Sequence, residues 1–180
     1  GVMLTMLYNA LKAPMMTSDI VSSEGKFEFH TDDDKTLLAV CHKAYYDKGI
    51  VEGSNKSSFN GTVLPNINDV EIDGEVYSSK IDLSSLMGEE IEYIERKADK
   101  DDNGEIIYAK STGKTHTINI SADDFEYFDE ESYRLTYISD SGKTKSVQLK
   151  RGMQLLYNGG LITNNVSDRL NDGCTLKLIE

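Results

Sequence analysis

The sequence contains no tryptophan and only two cysteines, and none of its apolar runs approaches the roughly 18 residues that span a bilayer. Two cysteines are too few for the disulfide framework of a small secreted domain. Cys41 lies in the apolar run TLLAVCHKAYY, which favours a small core residue, with a bridge to Cys174 as the alternative. No basic segment precedes an apolar stretch, so we expect no signal peptide within these residues.

Motifs of common catalytic sites are also missing. There is no G-x-S-x-G, no P-loop, no G-x-G-x-x-G, no H-E-x-x-H and no paired C-x-x-C. The three histidines are His30, His42 and His116. His42 follows Cys41 directly, and adjacent helical positions point in different directions, so nothing in the sequence positions a Cys–His pair. We therefore predict no catalytic residue, no metal ligand and no cofactor.

Positive charge is scarce: the formal net charge is -12. A nucleic-acid partner needs a basic surface that releases the counterions of the phosphates, and an anionic membrane surface likewise attracts basic segments. The composition therefore disfavours both partners, and we predict neither nucleic-acid binding nor membrane insertion.

Carboxylates are abundant, and two acidic segments raise the question of a site. In DKDDNGE, residues Asp99, Asp101 and Asn103 stand at alternate positions before Gly104, as in the first half of an EF-hand loop. The twelfth position, which requires a bidentate glutamate, is Lys110, so a polar hairpin turn is favoured over a partial cation site. SADDFEYFDEES is interpreted as a solvated acidic surface. Four N-x-[ST] sequons are attributed to chance and lie at Asn55, Asn60, Asn119 and Asn165.

Helical spacing is confined to the first part of the chain. The apolar pattern predicts a short helix from Met3 to Ala13, which Pro14 ends. KFEFHTDDDK favours a brief strand, after which Thr31 or Asp32 would cap a helix over residues 33–47. Gly49 is the predicted stop of that second helix.

After Gly49 the sequence alternates in short runs separated by turn residues. Asp73-Gly74 predicts a type I′ hairpin turn, and IDLSSLMG a helical turn. A strand in EEIEYIERKA should pair with one in GEIIYAKS. Further strands are predicted in KTHTINIS, SYRLTYIS, TKSVQLK, LLYNGGLIT and CTLKLIE. The pattern predicts a mainly β (α+β) fold: an antiparallel barrel or sandwich with one or two N-terminal helices.

The stretch VMLTMLYNAL resembles the closing helix of the S-layer homology repeats that anchor Firmicutes surface proteins to the cell wall. The remainder, through IDGEVYSSKIDLSSLMGEEIEYIERK and LLYNGG, is similar to the β-rich region that follows such repeats in clostridial surface proteins. The resemblance implies a piece of a longer, extracellular, wall-associated protein. Residues 1–13 would be the tail helix of an upstream unit, packed through its Met and Leu stripe, and residues 14–180 a β-rich domain.

Three functions are compatible with these features. The leading hypothesis is a non-catalytic structural module that spaces or presents neighbouring domains of the same polypeptide. A second is a module that binds cell-wall polysaccharide or another glycan through exposed rings of Tyr93, Tyr108, Tyr133 and Tyr137. A third is a wall-modifying hydrolase, which would need a concave site with converging polar groups.

Overall fold

The computed structural model describes residues 2–20, 27–97, 104–151, 153–157, 160–162, 169 and 175–179. The α-helices α1 (Val2–Lys12) and α2 (Leu37–His42) lie within these ranges. The strands are β1 (Pro14–Ile20), β2 (Phe27–Thr36), β3 (Ala44–Ser54), β4 (Asp69–Ile72), β5 (Glu75–Ser79), β6 (Glu90–Arg96), β7 (Glu105–Ser111), β8 (Thr117–Ile120), β9 (Phe125–Asp129), β10 (Arg134–Ile138), β11 (Thr144–Gln148), β12 (Leu155–Tyr157), β13 (Gly160–Ile162) and β14 (Leu176–Ile179). In these ranges, no helix has the length and apolar character to cross a membrane.

Five strands close a barrel in the order β3-β4-β5-β7-β6. All neighbouring pairs are antiparallel except β5 and β7, which run parallel through Ser78↔Glu105 and Ser79↔Ile106. Counted along the chain, the barrel strands follow the order 1-2-3-5-4, the connectivity of the OB-fold, a five-stranded Greek-key barrel. The predicted mainly β fold is therefore confirmed, and the choice between barrel and sandwich is resolved in favour of a barrel with additional sheets.

Strand β3 joins the two halves of the barrel by changing partners. Its first part, Ala44–Ile50, pairs with β6, and from Val51 onward it pairs with β4. Gly49 lies at this change, where a Cβ atom would come within 2.5 Å of both Ile72 Cγ2 and Asp73 Oδ2. The glycine is required by the close approach of the β4–β5 turn, and the prediction that it ends a helix is wrong.

The barrel interior is a continuous apolar core built from alternating strand positions. Its buried members are Val51, Val70, Ile72, Leu83, Met87, Ile91, Tyr93 and Ile106. The 3₁₀ turn Ser84–Leu86, predicted as a helical turn, lies between β5 and β6 and brings Leu83 and Met87 into this core. The Asp73-Gly74 turn is also confirmed, with φ of 49° and 82° at the two residues.

A second core lies outside the barrel. The three-stranded sheet β11-β10-β9 and the pair β14-β8 share a cluster of buried residues: Ile120, Phe128, Leu135, Tyr137 and Leu176. Strand β9 falls in the segment interpreted as acidic surface. Glu126 and Asp129 are indeed exposed, but Phe128 turns inward and packs against the ring of Tyr133.

The predicted helix over residues 33–47 is largely wrong. Residues 33–36 belong to β2, which forms a hairpin with β1, and β3 begins at Ala44. Only Leu37–His42 is helical, capped by the Thr36 hydroxyl, which accepts from the Ala39 amide at 3.1 Å. Lys43 then adopts a left-handed conformation (φ 48°) and ends the helix. Pairing with β1 and β6 outweighs the helical pattern on either side.

Candidate functional site

The most elaborate arrangement of polar side chains lies where α1 packs on the outside of the barrel. The Glu92 carboxylate on β6 accepts from the Tyr8 hydroxyl of α1 at 3.1 Å and from the Tyr46 hydroxyl of β3 at 2.9 Å. The Lys110 ammonium on β7 lies 2.9 Å from the same carboxylate. The Lys12 ammonium of α1 lies 4.0 Å and 4.1 Å from the ring centroids of Tyr8 and Tyr46. These five residues form what we call the Glu92 junction.

The barrel strands dictate this geometry. Ile91 and Tyr93 point into the core, so Glu92 between them points outward. In the β6–β7 pairing Glu92 stands directly opposite Lys110, which makes their ion pair a cross-strand pair. The hydroxyls of Tyr8 on α1 and Tyr46 on β3 donate to the same carboxylate.

Electrostatics at the junction favour a charged Glu92. The Lys110 ammonium, helped by the hydroxyls of Tyr46 and Tyr8, outweighs burial and lowers the pKa of Glu92 to about 2. Burial and the bond to Glu92 raise the pKa of Tyr46 to about 12 and shift the pKa of Tyr8 in the same direction. The bond to Glu92 also raises the pKa of Lys110. The groups are therefore locked as carboxylate, ammonium and neutral phenols, which suits a structural clamp rather than proton transfer.

Apolar contacts reinforce the clamp. Leu38, Ala44 and Ile94 form a small buried cluster, and Tyr8 and Leu11 of α1 pack against it. Tyr8, Leu11 and Lys12 share one face of the helix because they are three and four positions apart. The helix is thus attached to the barrel through this face.

The opposite face of α1 is apolar and turned away from the barrel. We call it the outward face of α1; its residues and their exposed fractions are Val2 79%, Met3 78%, Met6 67% and Leu7 58%. The predicted helix is confirmed, with bounds that differ by one residue. The prediction that its Met and Leu stripe packs onto the domain is wrong for the exposed Met3, Met6 and Leu7. Of that stripe Leu11 does pack on the buried cluster, where it is joined by Tyr8.

The nucleophile and metal candidates do not converge. Cys41 is exposed with a free thiol, so the prediction of a core cysteine is wrong; Cys174 lies outside the described residues. His42 is exposed beside it, His30 lies on β2, and His116 precedes β8. In the part of the chain that the structure describes, no three His, Cys, Asp or Glu side chains are grouped so as to hold a metal ion.

The remaining acidic and amide candidates either lie outside the described residues or bond to neighbouring side chains. Asp99, Asp101 and Asn103 of the possible cation loop, and the sequon Asn165, lie outside the described residues. Lys110, at the position an EF-hand gives to glutamate, is committed to Glu92. The sequon Asn60 donates its side-chain amide to Glu71 at 2.6 Å.

The four tyrosines proposed as a stacking platform do not form one. Tyr93 and Tyr137 are only 3% and 8% exposed. Tyr108 packs against Tyr8, with ring centroids 6.1 Å apart, and Tyr133 packs against Phe128. The predicted row of exposed rings is therefore wrong.

A small depression of about 230 Å³ lies beside the start of β4 and the end of β5. Two carboxylates line it, and both have partners. The Lys56 ammonium and the Ser84 hydroxyl hold the pKa of Asp82 well below its usual range, and Asp69 accepts from the side-chain amide of Asn66 at 2.7 Å. A general acid requires a raised pKa, so Asp82 does not suit that role.

Sequence reasoning missed Glu92 and its partners. One signal was available: the predicted pairing of β6 with β7, counted residue by residue, places Glu92 opposite Lys110. Tyr8 is 84 positions away from Glu92 in sequence, and no local pattern connects them.

In comparisons with models of protein families, with curated proteins and with solved structures, the chain matches none. The resemblance to S-layer-associated proteins accordingly rests on the sequence motifs alone. Any function has to be argued from the residues of this chain.

Proposed function

We propose that this chain is a non-catalytic structural module that spaces or presents neighbouring domains of an extracellular bacterial surface protein. The observation that carries the proposal is the outward face of α1. Four large apolar side chains on one helix face are exposed, while the other face is attached to a closed barrel. An apolar patch of this kind is a frequent mark of a protein contact.

The Glu92 junction fixes the orientation of α1 on the barrel. Tyr8 and Lys12 fix the rotation of α1 about its own axis, because their partners Glu92, Tyr46 and Tyr108 lie on three different barrel strands. A neighbouring domain seated on the outward face would therefore be held at a defined orientation to the barrel. This is the property that a spacer requires.

A cell-wall location follows from the resemblance and is part of the same proposal. The glycan-binding alternative loses its main support, since two of its four rings are buried. In OB-fold barrels the second and third strands carry the ligand face. Their equivalents here, β4 and β5, contain three carboxylates and a single ring, that of Tyr77, which packs on the core. For the hydrolase alternative, Lys56 and Ser84 keep Asp82 ionised, so Asp82 does not suit the role of general acid.

The proposal is tested by following α1 in the natural gene product and in the isolated 180-residue chain. We expect the methyl resonances of Met3 and Met6 to shift, and the amides of α1 to exchange at least about tenfold more slowly, in the longer protein. The double variant Met3→Gln/Leu7→Gln should abolish this protection.

Met16→Gln serves as the matched control, because Met16 is similarly exposed on β1 but lies off the helix. Equal protection of α1 in both proteins, or loss of protection in the control as well, would contradict the proposed contact.

A further inference from the structure

Between the barrel and the second core lies a large cleft, which we call the inter-sheet cleft. Its volume is about 730 Å³, within the range of roughly 300–1,000 Å³ usual for small-molecule sites. Phe59 and Met87 line it from the barrel side. Leu135, Val147 and Leu178 line it from the opposite side.

The cleft is apolar in its depth. Met87 and Leu135 belong to the two separate buried cores, so the cleft reaches down to the cores of both units. Val147 and Leu178 are half-buried and also line the cleft. An apolar body placed here would remove these surfaces from water, at about 25 cal/mol for each Å² covered.

Charge at the cleft is opposite in sign to that of the chain. The chain holds 31 acidic residues against 19 lysines and arginines. Yet among the described residues that line the cleft there is no carboxylate, and there are three cations: Lys150, Arg151 and Lys177. This reversal favours a ligand with a negative group.

Two of the three cations are placed to meet that group. Lys177 is occupied, since its ammonium bonds the Ser85 carbonyl at 2.7 Å and Glu89 at 2.6 Å. Arg151 is exposed and gives one N–H to the Glu131 carbonyl at 3.4 Å, which leaves further donors of its guanidinium. Lys150 is exposed beside it.

We propose that the inter-sheet cleft binds a small amphiphile with an apolar chain and a single anionic end, such as a fatty-acid carboxylate. The hydrocarbon chain of the ligand lies between the barrel and the second core, and its carboxylate meets Lys150 and Arg151 at the rim of the cleft. This site is independent of the outward face of α1 and of the proposed spacer function.

The methionines provide a direct test. Met87 and Met153 line the cleft, whereas Met3 and Met6 lie on α1 and Met15 and Met16 on β1. With ¹³C-methyl methionine in the full 180-residue chain, decanoate below its micellar concentration should shift Met87 and Met153 alone. Shifts at Met3 and Met6 instead would assign the binding to α1, and unshifted Met87 and Met153 at saturating decanoate would overturn the proposal.

The charged end is tested with decanol, which has the same chain and no charge. Lys150→Gln should weaken decanoate binding about threefold to fivefold and leave decanol binding unchanged. Lys145→Gln makes the same charge change on β11 at a residue that does not line the cleft, and should alter neither. Equal losses for decanoate and decanol, or equal losses in the two variants, would remove the rim lysine from the site.

Discussion

The barrel and the second core deal with strand edges in different ways. Closure leaves no barrel strand with an unpaired edge, whereas the sheet β11-β10-β9 ends in two edge strands. Lys145 on β11 and Glu126 and Asp129 on β9 place exposed charges along those edges, which opposes pairing with another chain. One chain thus combines a self-contained unit with a more open one, and the inter-sheet cleft lies where the two meet.

The largest effect should come from the barrel core. Ile91 and Leu135 are each 0% exposed, and truncation to alanine removes the same number of carbon atoms from each. We expect Ile91→Ala to lower the free energy of unfolding by about 3–4 kcal/mol and Leu135→Ala by about 2–3 kcal/mol. The difference arises because Leu135 borders the inter-sheet cleft, so the space left behind is continuous with an existing opening.

Urea denaturation of the two variants measures this difference, with Val76→Ala as the control. Val76 is 40% exposed on the outside of β5 and should cost less than about 0.5 kcal/mol. An equal or larger loss for Leu135→Ala would mean that the second core is packed as tightly as the barrel.

A smaller effect is expected from acid. Because the pKa of Glu92 is about 2 in the folded chain and its ordinary value is 4.5, the unfolded chain binds more protons between these values. The stabilisation is complete above pH 4.5 and is lost as the pH falls toward 2. Since Lys110 is partly exposed, we expect a loss of about 1–2 kcal/mol across this window.

Glu92→Gln should lower stability by a similar amount at pH 7 and flatten the dependence of unfolding free energy on pH between 2 and 4.5. Glu126→Gln, an exposed carboxylate of the second core, is the matched control and should leave the curve unchanged. If Glu92→Gln kept the wild-type slope, other carboxylates would account for the acid sensitivity. Slower loss of α1 helicity than of barrel structure in acid would also contradict the clamp.

The parts of the fold that sequence predicted are those governed by near neighbours. Asp73-Gly74 specifies its own turn through the positive φ angles that glycine and aspartate tolerate. The alternation in β6 and β7 predicted both strands and their pairing. Helix α1 followed from apolar spacing and Pro14.

The parts that sequence missed depend on distant partners. Residues 44–47 fit a helical pattern, but they become strand because Glu90–Arg96 pairs with them from nearly fifty residues away. The face by which α1 packs was mispredicted for the same reason, since Glu92 selects Tyr8 over the Met stripe. The inter-sheet cleft arises from the meeting of two cores and has no local signature at all.

The smallest effect concerns the link between the barrel and the second core. Lys177 on β14 bonds to the Ser85 carbonyl and to Glu89. Burial alone would raise the pKa of Glu89. The Lys177 ammonium and the Ser111 hydroxyl outweigh burial and lower the pKa of Glu89 below its ordinary value. Lys177→Gln should cost about 0.5–1 kcal/mol, because this ion pair is only partly exposed.

Amide exchange shows which strands the Lys177→Gln substitution destabilises. Amide exchange should speed up in β14 and β8 and remain unchanged in β3 and β6, because closure stabilises the barrel without help from the second core. Lys145→Gln, which removes the same charge from an edge strand without a barrel contact, should change neither region. Faster exchange in β3 and β6 of Lys177→Gln would mean that the stability of the barrel depends on the second core and that the two regions unfold together.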